Sequence, residues 1–105
     1  MTYNVIISDN ANQHLEKIIN YTTTELKNTQ AAKKIIEDAR KTTNVLSMCA
    51  NSLKKLSDSE LAKNGYRKIK FRYHNIIMVY RIVDMQVVVE GIFHQLQDYE
   101  SLLKR

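Results

Sequence analysis

A chain of 105 residues with 44% apolar and 26% charged side chains has the size and composition of one globular domain, residues 1–105, and excludes a disordered or collagen-like polymer. Its formal net charge of +5 is modest, but its concentration in one stretch of the chain favours a polyanion or an acidic protein segment as partner. No apolar run nears the ~18–20 residues that span a bilayer. The opening Met1-Thr2-Tyr3-Asn4-Val5-Ile6-Ile7 lacks the basic and apolar regions of a secretory leader. Cys49, the single cysteine, can neither staple the fold nor make a zinc site by itself. No membrane association and a reduced, cytoplasmic setting are therefore expected. Proline is absent and the glycines are Gly65 and Gly91 alone, so the elements should be long and regular.

Tyr3–Ser8 is a short β-rich run with Tyr3, Val5 and Ile7 on one face. Ser8, Asp9 and Asn10 can then cap a helix. From Ala11, the positions Leu15, Ile18, Ile19, Thr22 and Leu26 repeat at helical spacing, opposite Asn12, Glu16, Asn20 and Lys27. Asn28 or Thr29 starts a second helix, whose stripe runs Ala32, Ile35, Ile36, Ala39, Leu46, Cys49 and Leu53. Lys33, Lys34, Glu37, Lys41 and Asn44 face away. Two long helices with a short connection must pair as an antiparallel hairpin. Ser57-Asp58-Ser59-Glu60 matches a capping box and Asn64-Gly65 a helix stop, which predicts a single short turn of helix between them.

The period then switches to two. Tyr66–Tyr73 predicts a strand with Ile69, Phe71 and Tyr73 on one face and Lys68, Lys70 and Arg72 on the other. His74-Asn75 gives a turn, Ile76–Val83 a central strand, and Asp84-Met85 a tight turn into a last strand from Val87 through Phe93. The end is weakly helical, with Asp98 as its cap. The fold class is therefore α+β: an N-terminal strand, a long αα-hairpin and a three-stranded antiparallel meander, the helices covering one face of a small four-stranded sheet. No helix is left over for the opposite face, where the Lys68, Lys70 and Arg72 ladder should project.

The charge is uneven. Residues 51–82 hold eight Lys/Arg against Asp58 and Glu60, whereas residues 1–50 hold six against five and residues 83–105 two against four. Same-face strand residues stand about 7 Å apart, close to the spacing of phosphates on a nucleic-acid strand. The alternative for such a patch is an ordinary solvated surface.

The order of elements, with Gly65-Tyr66-Arg67-Lys68-Ile69 opening the meander, Tyr80-Arg81-Ile82 in its middle and Ile92-Phe93-His94-Gln95-Leu96-Gln97-Asp98 closing it, resembles the RelE/ParE superfamily of bacterial toxins. The resemblance covers nearly the whole chain. It implies the toxin of a type II toxin–antitoxin system of the plasmid-stabilization kind, inhibiting growth when free and held in a hetero-oligomer by an antitoxin encoded beside it. RelE-like members are ribosome-dependent mRNA endoribonucleases (mRNA interferases). ParE-like members poison DNA gyrase.

Metal-free RNA cleavage needs a base for the 2′-OH, an acid for the leaving 5′-oxygen and cations for the phosphate. The resemblance assigns such roles to Lys68, Lys70 and Arg72, with Arg81, His94 and Tyr99 as further candidates. No cofactor and no metal is implied. The RelE-like arginines fall in register with Ile77 and with Leu96 or Gln97, which carry no charge. Loss of a positioned arginine can cost several kcal/mol of barrier. This balance, with the long helical hairpin, favours the ParE-like branch and gyrase as target. The RelE-like nuclease and an inactive toxin homologue are the alternatives. A histidine after a strand, such as His94, is more often structural than catalytic. His14 reads as structural, Cys49 as a small buried apolar residue, and Tyr66, Tyr73 and Tyr80 as core and sheet-edge residues.

Overall fold

In a computed structural model describing residues 2–104, β1 (Asn4–Ile7) leads into α1 (Asp9–Asn20). The Ser8 hydroxyl caps α1 by accepting from the Ala11 N–H at 3.1 Å. A wider π-type turn over Tyr21–Glu25 ends this arm of the hairpin. In that segment Thr22, Thr23 and Thr24 each donate to the carbonyl four residues back, a back-bonding that bends and loosens a helix. Asn28 then caps α2 (Thr29–Cys49), accepting from the Ala31 N–H at 2.9 Å.

A 3₁₀ turn over Ala50–Ser52 leads to α3 (Ser59–Lys63), capped by Asp58, one residue later than the capping-box pattern suggests. Gly65 leaves α3 at φ +87°, a left-handed stop that suits glycine. The meander follows as β2 (Arg67–Lys70), β3 (Ile76–Val83) and β4 (Gln86–His94), and α4 (Tyr99–Leu103) closes the chain from its Asp98 cap. The β3–β4 turn places Asp84 at φ +57°, as a tight two-residue hairpin turn requires.

The sheet order is β1-β4-β3-β2, with β1 parallel to β4 and the other pairs antiparallel. Glu90 is an extra residue on β4, since Val79 faces Gly91 while Tyr80 faces Val89. Such a bulge bends the strand and increases its local twist.

The hairpin covers one face of the sheet. There Ala11, Ile35, Ala39 and Leu46 pack on Phe71, Met78, Tyr80, Val87, Val89 and Ile92. Tyr80 is fully buried, and its hydroxyl donates to the Ala50 carbonyl at 2.7 Å. Burial pushes the Tyr80 phenol up to about 12.

The opposite face departs from expectation. It is covered: Leu56 and Leu61 pack on Ile77, Val79 and Phe93, with Tyr66, Tyr99 and Leu103 alongside. α4 is held over it by stacking of Tyr99 on Phe93, ring centroids 5.8 Å apart. The Asp58 N–H also donates to Glu100 at 2.8 Å, and Lys104 pairs with Asp58 at 3.1 Å. The last helix is too short to show a period, so the spacing of its apolar Tyr99 and Leu103 gives no sign of a cover.

Candidate functional site

β2 is shorter than its alternating pattern suggests, because its register with β3 sets Lys70 opposite Ile77 and leaves residues 72–75 to make the turn, which Asp38 pins. This carboxylate sits on the buried side of α2, 2% exposed. It accepts from the backbone N–H groups of Arg72 at 3.2 Å and Tyr73 at 2.9 Å, and from His74 Nδ1 at 2.7 Å. The ladder ends at Lys70, while the Phe71 N–H still reaches the Ile76 carbonyl at 2.8 Å. Burial pushes the Asp38 carboxyl up, but the His74 bond and the two backbone donors outweigh it and hold the group below its ordinary value.

The expected ladder of three cations is therefore not formed. Lys68 and Lys70 pair with Val79 and Ile77 across the β2–β3 ladder and share their face. Arg72 lies in the bend beyond the strand, its guanidinium carbon 5.4 Å from the centroid of the Tyr73 ring. Tyr73, expected beside Ile69 and Phe71, is turned out and 66% exposed. Both residues belong to the turn that this register sets, and Asp38 fixes the turn by accepting from their N–H groups.

Lys68 is half-buried, and its Nζ donates to the Tyr99 hydroxyl at 3.3 Å. Lys70 is exposed and donates to the Phe71 carbonyl at 3.2 Å. Arg81 lies over the Tyr66 ring, 5.1 Å from its centroid, and its Nε donates to Glu90 on the bulge. The Glu90 bond raises the Arg81 pKa further. Its positive charge is thus already answered by a carboxylate. His94 is elsewhere. It pairs with Ile76, a residue of the core under the hairpin, so it belongs to the helix side of the sheet. Its Nδ1 accepts from the Leu96 N–H at 3.2 Å, and its own N–H donates to the Gln97 side chain at 2.8 Å. Of the six candidates, Lys68 and Tyr99 are in contact, Lys70 and Arg81 share the Lys68 face, and Arg72 and His94 lie apart.

Ile77, in register with one of the expected arginines, is buried in the second apolar cluster. Leu96, near the other, is 87% exposed. His14 is half-buried against the sheet. Its Nδ1 accepts from the Ile92 N–H at 3.2 Å, and its ring meets Phe93 at 4.8 Å between centroids. Burial first, and Lys17 second, hold this imidazole below its ordinary value. Cys49 is only half-buried and its thiol donates to the Val45 carbonyl at 3.2 Å.

Two clefts flank the β2–β3 turn. The larger, about 730 Å³, lies between α1 and the ends of β3 and β4, with Ile18, Leu26, Ile35, Ile76 and His94 among its walls. The smaller, about 340 Å³, lies between α2 and the turn, walled by Lys34, Glu37, Asp38, Lys41, Tyr73 and His74. Asp38 and the smaller cleft escaped the sequence reading. A lone carboxylate inside the apolar stripe between Ile35 and Ala39 is the signal that could have found them. Among the described residues no group of three or more His, Cys, Asp or Glu side chains is placed to hold a metal ion, and no helix is long and apolar enough to cross a membrane.

Comparison with known proteins agrees with this architecture. Residues 5–99 match the family model for the ParE toxin of the type II toxin–antitoxin system parDE. No curated protein matches the sequence. Among solved structures, the chromosomal ParDE toxin–antitoxin system from P. aeruginosa superposes with a TM-score of 0.74 at 16% identity, covering 89% of this chain and 96% of that one. The toxin–antitoxin complex RelBE2 from Mycobacterium tuberculosis superposes with a TM-score of 0.61 at 18% identity, covering 90% of this chain and 99% of that one. The strand, the long hairpin and the four-stranded sheet thus share the fold of ParDE and RelBE proteins, and over residues 5–99 the chain belongs to the ParE toxin family of type II toxin–antitoxin systems.

Proposed function

We propose that this toxin stops growth in the ParE manner, by poisoning DNA gyrase in the cytoplasm, and that a cognate antitoxin neutralises it. The observation that carries this reading is the dispersal of the candidate catalytic set. A metal-free nuclease needs base, acid and phosphate clamp around one reacting phosphate. Here Arg81 is paired with Glu90, Arg72 lies on Tyr73 beyond the strand, and His94 is on the helix side. Trapping a large partner needs shape and charge but no such convergence. The two solved structures named above come from a toxin–antitoxin system and a toxin–antitoxin complex, which supports an antitoxin partner here.

One contact favours a second reading. The Lys68 ammonium and the Tyr99 hydroxyl, 3.3 Å apart, join two groups capable of proton transfer beside exposed Lys70. On this second reading, that pair would serve as the nucleus of a RelE-like ribosome-dependent endoribonuclease.

Expression of the chain alone should arrest growth, and co-expression of the neighbouring short open reading frame should restore it. Translated mRNA from arrested cells should show no codon-positioned cuts by primer extension. Cuts that vanish with Lys68→Ala would replace the gyrase reading with the nuclease one. Normal colony formation without the partner would leave an inactive homologue.

A further inference from the structure

The smaller cleft is built from residues that the toxin reading does not use. Lys34 and Lys41 stand one helical turn before and after Asp38 on α2, so spacing brings all three to one side of the helix. Asp38 spends its oxygens on Arg72, Tyr73 and His74. Its charge is thereby answered, and the turn is fixed beside the two lysines. Because an ionised carboxylate only accepts, His74 Nδ1 carries the proton, and Nε2 is the ring nitrogen left for a ligand. Lys41 has one competitor, Glu37, at 3.4 Å. Both of these side chains are more than half exposed, and such a pair is weak enough to exchange for a ligand anion. Tyr73 stands exposed at the rim, with the Arg72 guanidinium over one face of its ring. Two lysines, an oriented imidazole and an exposed tyrosine, with the carboxylates of Glu37 and the already bonded Asp38, surround about 340 Å³, the low end of clefts that take small ligands.

We propose that this cleft binds single-stranded nucleic acid, with backbone phosphates on Lys34 and Lys41 and a base against Tyr73. The pairing of cations with an exposed ring selects this ligand over an acidic peptide, which would use the lysines but gain little from the ring. It also selects a single strand over a duplex, whose bases are stacked away. The site lies over α2, on different residues from Lys68 and Tyr99, so it stands whether the toxin acts on gyrase or on mRNA.

The test is fluorescence anisotropy of a labelled 12-nucleotide oligothymidylate against the purified free chain over a salt series. Binding should weaken with salt. Lys34→Ala with Lys41→Ala should lower affinity at least tenfold and reduce the log–log salt slope by about 1.4, at ~0.7 for each phosphate that a lysine neutralises. Tyr73→Leu should lose at least about fivefold with an unchanged slope. Lys54→Ala with Lys63→Ala, which removes two exposed lysines that do not line the cleft, should change neither. Thermal melting should show each variant folded. Four results would overturn the proposal: no saturable binding, equal loss in both lysine pairs, equal affinity for a 12-base-pair duplex with Tyr73→Leu silent, or competition by a glutamate-rich peptide or thymidine monophosphate at matching concentration.

Discussion

The two faces of the sheet are built differently. Under the hairpin, large side chains interlock: Leu46, Phe71, Met78 and Tyr80 are at most 1% exposed. On the other face, two single-turn helices and a few ion pairs close a smaller cluster, and the cations lie at its margin. The first face stores most of the stability. The second keeps charge near water at the cost of a thin cover. The difference teaches that in this small domain the charged surface is shaped by what fixes its loops and short helices, Asp38 and the Glu100–Asp58–Lys104 group above all, more than by strand alternation.

The largest expected effect separates the faces directly. Leu46→Ala should cost about 4 kcal/mol in urea denaturation, as for a fully buried leucine. Leu103→Ala, at a partly buried position at the end of α4, should cost about 1 kcal/mol. Equal losses would erase the distinction. Asp38→Ala comes next, at about 3 kcal/mol, because it leaves two backbone N–H groups without their acceptor. Its effect should concentrate at the turn, with faster amide exchange at Arg72 and Tyr73. Unchanged exchange there would show that the turn holds itself.

Gly91→Ala should cost about 2 kcal/mol, since a Cβ at that position would collide with the ring of Phe93. The smallest effect is a pH slope. His14 is held below its ordinary value, so on acidification the unfolded chain takes up this proton before the folded one. Its stabilising contribution is whole above about pH 6.5, the ordinary histidine value, and is lost as pH falls through the folded value. The melting temperature should decline from pH 7 to 5.5, and His14→Gln should flatten that decline. An unaltered slope would place the acid sensitivity elsewhere.

The order of elements was legible because the helical stripe of Leu15, Ile18 and Ile19 and the alternation of Lys68, Ile69 and Lys70 are long enough to carry a period. The caps at Ser8, Asn28 and Asp98 were legible for a local reason, since each bonds within three residues of itself. What escaped was non-local or short. Asp38 bonds residues 34 to 36 positions away, and no spacing rule reaches that far. Neither α3 nor α4 has more than five residues, so the cover over Ile77 and Phe93 left no periodic trace. The three-cation ladder failed because alternation predicts a face only while the strand lasts, and the β2–β3 register ends it at Lys70.

Supercoiling of relaxed plasmid by DNA gyrase, with the purified free chain added and then titrated with its antitoxin, tests the central claim most directly. The chain should abolish supercoiling, and the antitoxin should restore it. Full supercoiling at every toxin concentration, alongside cleavage of translated mRNA, would contradict the gyrase reading.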